Sequence, residues 1–261
     1  MIWTKEEMDM LSQQRLYHIM SIVKEQSFVT IKELMDQLDV SKSTVNRDLI
    51  ELEEQGLITR ERGGAMCREV SDTLSAFNEV PTVNKENLCA EAKAAVCSKA
   101  VRNVKDGDCV YVDSGTTPVY LLPHLLARKV KIVTPSIYLI KKVPITYKGD
   151  IYLLGGRFSP DYDLSSGPMA VEMIRSFNFD HAFFSTNGVS TESREVYIFD
   201  MEIGTMKKEI MKKSQNRYLL IDDSKYRIKA MFTWAKLEEF TNVYVNQAPA
   251  GEMPENFTVC P

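Results

Sequence analysis

The chain has 261 residues, enough for one large domain or for a small one plus a medium one, and its 44% hydrophobic and 26% charged residues are those of an ordinary globular protein. A formal net charge of -4 excludes a globally basic nucleic-acid binder, so any basic surface is local. Five cysteines without a Cys-x-x-Cys pair, and only three histidines, suit neither a zinc site nor a disulfide framework; they read as reduced thiols in a cytoplasm.

The first ten residues carry acids and no apolar core run, so no signal peptide is expected, and no stretch approaches the roughly 20 apolar residues of a membrane span. Helical spacing then begins. Leu16, Ile19, Met20 and Val23 mark a first helix, Ile31, Leu34, Met35 and Leu38 a second, and Val45, Leu49 and Leu52 a third. Thr30 and Glu33 have the spacing of a capping box at the start of the second helix. After the break Asp39-Val40, Ser41 is placed to cap the third. Leu57 to Arg62, then Gly63-Gly64, then Ala65-Met66 spell two short strands around a turn. Three helices and a hairpin predict a winged helix-turn-helix over residues 1–66, with double-stranded operator DNA as its partner.

On a helical wheel Val45, Leu49 and Leu52 share one side of the third helix, and Lys42, Ser43, Asn46 and Arg47 fall on another, all in its first turns. Arg and Asn at that end form bidentate bonds to guanine and adenine edges in the major groove. Ser43, Thr44 and the helix N-terminus suit phosphate contacts. Arg60 and Arg62 on the wing would reach the DNA backbone beside the groove. The alternative is a solvated polar face used for protein contacts, to which Glu51, Glu53 and Glu54 lend weight, although they lie toward the far end of the helix.

Ser41 to Leu49 (Ser-Lys-Ser-Thr-Val-Asn-Arg-Asp-Leu), followed by Leu52 to Ile58 and by Arg62-Gly-Gly-Ala65, resembles the DeoR family of bacterial regulators. Family members usually have a second basic residue where this chain has Asn46, and often a histidine where it has Arg62. The first difference implies a different operator sequence.

From Arg68 to about Lys85 no period is sustained and Pro81 interrupts the stretch, so residues 67–84 read as a linker. Over 85–261 short apolar runs alternate with helical ones: Val110 to Val112, Lys131 to Val133, Ile151 to Leu154, Ala182 to Phe184 and Tyr218 to Ile221. Such alternation predicts an α/β domain built on an open, largely parallel sheet. Asp113-Ser-Gly-Thr-Thr117 follows one strand and opens a helix running through Leu121, Leu122 and Leu125. Gly and hydroxyl residues at a helix N-terminus, at the carboxyl end of a strand, make an anion cradle, here without the Gly-Lys-Ser/Thr ending of a P-loop. The alternative is a plain strand-to-helix turn with a capping hydroxyl. Lys225, delivered by the strand Tyr218 to Ile221 to the same sheet edge, suits phosphate, or is simply a surface lysine.

Leu154 to Phe158, Ser165 to Pro168, Thr186 to Val189 and Asp222 to Lys225 carry the resemblance to the DeoR family across nearly the whole chain. It implies a sensor domain similar in fold to ribose-5-phosphate isomerase and CoA-transferase domains, in a repressor of carbohydrate use that answers to a phosphorylated sugar. By that resemblance Ser114, Gly115, Thr116 and Thr117 hold the phosphate beside Asp113, Lys225 adds a cation, and Asn187 and Gly188 line the sugar side. Two departures bear on the sugar. The family's Gly-Ala-Asp-Gly is here Ser185-Thr186-Asn187-Gly188, and its acidic residue followed by alanine is Ile203-Gly204, while Asp200, Glu202 and Lys207 keep neighbouring positions.

The rival class is a sugar-phosphate isomerase, which needs a general base and a stabilised enediolate. Asn187 cannot accept a proton at neutral pH, and one carboxylate in a loop, Asp113, is more often a cap than a base. Binding without turnover is therefore expected, with no catalytic residue, cofactor or metal. A third possibility is that the domain only oligomerises. A homodimer or homotetramer is expected, because operator half-sites mirror protein symmetry.

Overall fold

The computed structural model describes residues 15–16, 18–20, 22–23, 28–54, 57–61, 63–67, 89–160, 162–249 and 253–260. The chain divides into two compact units between Ser71 and Asp72. The linker expected over 67–84 lies outside the described residues except for Cys67.

In the first unit Arg15, Leu16, His18 to Met20, Ile22 and Val23 are helical and make up what is described of α1. There follow β1 (Phe28–Thr30), α2 (Ile31–Leu38), α3 (Lys42–Glu54), β2 (Ile58–Glu61) and β3 (Gly64–Cys67). The capping box forms: Thr30 Oγ1 accepts the Glu33 N–H at 3.2 Å, and Glu33 Oε2 accepts the Thr30 N–H at 2.8 Å. The Thr30 N–H first, and its hydroxyl second, bond the Glu33 carboxylate and hold it below its ordinary pKa. Asp39, left-handed at φ 51°, ends α2, and Ser41 Oγ accepts the Thr44 N–H at 3.2 Å at the start of α3. The apolar positions of all three helices bury into one core with Val29, Ile58 and Ala65. The hairpin β2–β3 is antiparallel as expected, and β1 adds a third strand in the order β1-β3-β2. Its three residues are too few to show a period.

The second unit holds α4 (Ala90–Ala100), β4 (Cys109–Val112), α5 (Leu122–Leu125), β5 (Lys131–Thr134), α6 (Ile137–Ile140), β6 (Asp150–Leu153), β7 (Arg157–Ser159) and β8 (Leu164–Ser166). It continues through α7 (Pro168–Arg175), β9 (Phe179–Phe184), β10 (Gly188–Ser190), β11 (Glu195–Ile198), α8 (Met201–Lys212), β12 (Ser214–Ile221), β13 (Phe232–Lys236), β14 (Asn242–Val245) and β15 (Phe257–Val259). The main sheet has the order β15-β14-β12-β9-β4-β5-β6, and every pairing in it is parallel. Its inner strands β12, β9, β4 and β5 bury both faces over most of their length, which is why they read as apolar runs, whereas the edge strand β6 leaves Tyr152 and Leu153 exposed. Val110, Val112, Phe183, Tyr218 and Leu220 pack against α4 on one face; Tyr111, Ala182, Phe184, Leu219 and Ile221 pack against α7 and α8 on the other. A small antiparallel sheet, β10-β11-β13, and the hairpin β7–β8 complete the unit.

The helix expected from Thr117 through Leu125 is instead a 3-10 turn, Pro118–Leu121, followed by the single α-turn of α5. Pro118 and Pro123 donate no backbone N–H, so a regular α-helix does not form there. No helix among the described residues is long and apolar enough to cross a membrane.

Candidate nucleic-acid interface and ligand cleft

α3 presents the expected face. Lys42, Ser43 and Arg47 are exposed, Thr44 and Asn46 half-buried, and Val45, Leu49 and Leu52 buried. The hydroxyl of Ser41 sits 2.8 Å from that of Ser43 and 2.9 Å from that of Thr44, so three hydroxyls gather at the helix start. Asn46 Nδ2 donates to Lys42 O at 3.0 Å.

What holds this helix was not legible as function. Asp48 is buried and takes a bidentate bond from Arg15 of α1, Nε to Oδ2 at 2.5 Å and Nη2 to Oδ1 at 2.9 Å. The available signal was its position: Asp48 lies three residues after Val45 and four before Leu52, inside the apolar stripe. On the wing, Arg60 donates its backbone N–H to Glu53 Oε1 at 3.0 Å, and its guanidinium lies 3.7 Å from the same carboxylate. The wing is thus tied to the end of α3. An exposed pair of this kind is worth at most about 1 kcal/mol, so Arg60 remains available to a competing anion. Arg62 lies outside the described residues.

In the second unit the chain reverses direction across the sheet between β4 and β9, the topological switch at which open parallel sheets bind ligands. The segments following β4, β9 and β12 converge on one cleft. Ser114, Gly115, Thr116 and Thr117 line it from the first, Ser185, Thr186 and Asn187 from the second, and Lys225 from a 3-10 turn, Asp223–Arg227, after the third. Tyr162, Ile198, Ile203 and Lys207 complete its wall.

Gly115 sits at φ 103°, a conformation that side chains disfavour, and it curls the loop into a concave turn. None of the N–H groups of Ser114, Gly115, Thr116 and Thr117 meets an acceptor among the described residues. The loop is anchored from behind instead: Lys93 Nζ, buried on α4, donates to Thr116 Oγ1 at 2.9 Å, and Cys97 Sγ donates to Thr117 O at 3.2 Å.

Two expected residues stand elsewhere. Asp113 is 1% exposed and does not line the cleft; it lies beneath the loop, where its carboxylate is saturated. It accepts Tyr111 Oη at 3.0 Å, the Ser185 N–H at 2.8 Å and Lys207 Nζ at 2.5 Å. Burial first, and the Asp113 charge second, push the Tyr111 phenol well above its ordinary pKa, so it stays a donor. Gly188 is also off the lining. A Cβ there would lie 1.8 Å from Ile228 O, so the residue lets β10 run against the backbone just past the turn that carries Lys225.

Lys207 was missed as a site residue. Its ammonium, 3% exposed, joins Asp113 to Ser185 O at 2.7 Å and lies 5.3 Å from the centre of the Trp234 ring. Trp234 Nε1 in turn donates to Thr186 Oγ1 at 3.1 Å.

Residues 15–70 match the DeoR-like helix-turn-helix domain, and residues 88–247 match the DeoR C terminal sensor domain. The chain belongs to the DeoR family. The lactose phosphotransferase system repressor of Lactococcus lactis subsp. lactis is 31% identical over 83% of this chain and 84% of its own. The HTH-type transcriptional repressor GlcR of Bacillus subtilis (strain 168) is 28% identical over 92% of this chain and 90% of its own. Among solved structures, ribose 5-phosphate isomerase A from Methanocaldococcus jannaschii is 19% identical over 52% of this chain and 54% of that one, with a TM-score of 0.38, too slight a likeness to carry a functional conclusion. The DeoR helix-turn-helix match contains all of α3, and the DeoR sensor match contains every residue that lines the cleft.

Proposed function

We propose that this DeoR-family chain is a cytoplasmic transcriptional repressor of a carbohydrate-utilisation operon, whose grip on double-stranded operator DNA is modulated by a phosphorylated sugar bound in the cleft. Two of its relatives are named as repressors, one of them of the lactose phosphotransferase system. The observation that carries the ligand class is the loop after β4. Four successive N–H groups meet no acceptor among the described residues and curl around a left-handed glycine, beside hydroxyls and Lys225, an arrangement that suits a phosphate. Because the turn after Thr117 is short, these oriented amides, rather than a helix dipole, supply the attraction. A homodimer or homotetramer matches the two-fold symmetry of operators. Titrating operator DNA with and without a panel of sugar phosphates tests the reading; if none alters DNA affinity, the sensor assignment fails.

Arg47→Ala is expected to abolish selective binding while leaving the fold intact, since a lost bidentate base contact costs about 1–3 kcal/mol. A wild-type ratio of operator to random-DNA affinity in that variant would remove α3 from the groove. Arg60→Ala should weaken binding to all sequences alike and lower the salt slope by about one, the behaviour of a phosphate contact. A sequence-selective loss would make the wing a base reader.

The full chain should turn over no pentose or hexose phosphate. No carboxylate lines the cleft among the described residues, Asp113 is committed beneath it, and Asn187 cannot take a proton. Isomerisation detected by coupled assay or proton exchange would reassign the protein as an enzyme.

A further inference from the structure

The outer face of α3 carries one residue that its polar character does not call for. Ile50 is 41% exposed. A single exposed apolar side chain is ordinary on a protein surface, so its placement is what matters. At about 100° per residue it falls between Asn46 and Arg47, one turn further along, opposite the buried Val45, Leu49 and Leu52. Ser43, Asn46, Arg47 and Ile50 are spaced three, one and three residues apart. A homeodomain's recognition helix sets four side chains against base edges with that spacing. The next residue on the face, Glu54, is an exposed carboxylate, so the face turns acidic one turn beyond Ile50.

In the major groove the one apolar feature of a base edge is the thymine C5-methyl group. An isoleucine pressed against any other edge strips water from donors and acceptors and returns no bond, which costs free energy. Against a thymine methyl it buries hydrocarbon on both sides. We infer that Ile50 reads a thymine methyl and so fixes part of the operator sequence. This rests on α3 entering the groove, as proposed above, and adds a base preference to it. Ile50 lies three residues past Arg47, about 4.5 Å along the helix at 1.5 Å per residue. The thymine therefore lies within about two base pairs of the base that Arg47 meets, since successive pairs are about 3.4 Å apart.

The probe is a duplex that the full chain selects from a random-sequence library. Each thymine in it is replaced in turn by deoxyuridine, which keeps the pairing and lacks only the methyl. At the thymine that meets Ile50 the replacement should weaken wild-type binding about threefold or more, the worth of roughly one buried methyl group. Ile50→Ala and Ile50→Gln should bind the thymine and uracil duplexes alike, whereas Ile50→Val, which keeps branched methyls, should retain most of the wild-type ratio. Taking the ratio for each protein cancels whatever the missing methyl does to the DNA itself. Alanine and glutamine are both good helix formers and the position is exposed, so the fold should survive; if one variant does not fold, the other decides. A loss in these variants that falls equally on both duplexes is the mark of a structural role and overturns the inference. A scan in which no thymine separates them from wild type does the same, and both outcomes leave α3 in the groove. If no sequence is selected, or if Arg47→Ala keeps the wild-type preference for it, the assignment of α3 itself fails.

Discussion

Lys207→Met is expected to lower the unfolding free energy of the sensor unit by about 3–5 kcal/mol, out of the 5–15 kcal/mol usual for a domain. The ammonium is 3% exposed and Asp113 1% exposed, so the variant leaves a carboxylate in the interior without its counter-ion. Tyr111 and the Ser185 N–H still donate to Asp113, but neither carries charge. At the usual scaling for a unit of this size the melting temperature falls by about 6–20 °C. Asp113→Asn combined with Lys207→Met removes both charges and should recover much of the loss, since a buried pair replaced as a pair is often nearly neutral. Thermal and urea unfolding of the wild type, the single variant and the double variant measure this. A single-variant loss below about 1 kcal/mol would mean that Asp113 is not held as an ion beneath the loop.

Lys225→Ala and Thr116→Ala should each lower the affinity for the effector tenfold or more while leaving operator binding intact in its absence. Removing a charge-assisted partner from a phosphate costs roughly 1.5–3 kcal/mol, and tenfold corresponds to about 1.4 kcal/mol. For Thr116 a second effect adds to the first, because its hydroxyl is the group through which Lys93 holds the loop. Both residues lie far along the chain from the first 66. Coupling is reciprocal, so operator DNA should weaken ligand binding by the factor with which the ligand weakens DNA binding. Competition titrations with and without effector give both factors. An unchanged response in Lys225→Ala would take the cation, and the turn that bears it, out of the ligand site.

Where a residue's partner lies nearby in the chain, the sequence discloses the contact. The Thr30–Glu33 box, the Ser41 cap and the apolar faces of α2 and α3 all follow from spacings of three and four. The strands buried on both faces announce themselves as apolar runs. Strands β10, β11 and β13 have three to five residues, and β11 pairs with β13 across an intervening helix and strand, so neither length nor period marks them. The ion pairs fail for the same reason: Arg15 meets Asp48 and Lys207 meets Asp113 across long stretches of chain. Yet each pair leaves a local trace. Lys207 lies four residues after Ile203 and three before Ile210, on the buried face of α8, as Asp48 lies on that of α3. A charge written into an apolar stripe marks a partner to be sought elsewhere.

The order of strands also sets an order of assembly. Among the described residues the widest strand pairing of the first unit, Phe28 with Met66, spans about forty residues, whereas β4, in the middle of the main sheet, cannot complete its ladder until β9 has been made, about seventy residues further on, and the more distant closures are the slower ones. On a ribosome the DNA-reading half therefore finishes while the ligand-reading half still lacks its central neighbour. A chain that stops before Phe179 carries α3 in full but has neither Asn187, Lys207 nor Lys225, and on the proposed function it would keep the helix that faces an operator and lack most of the cleft that answers to the effector.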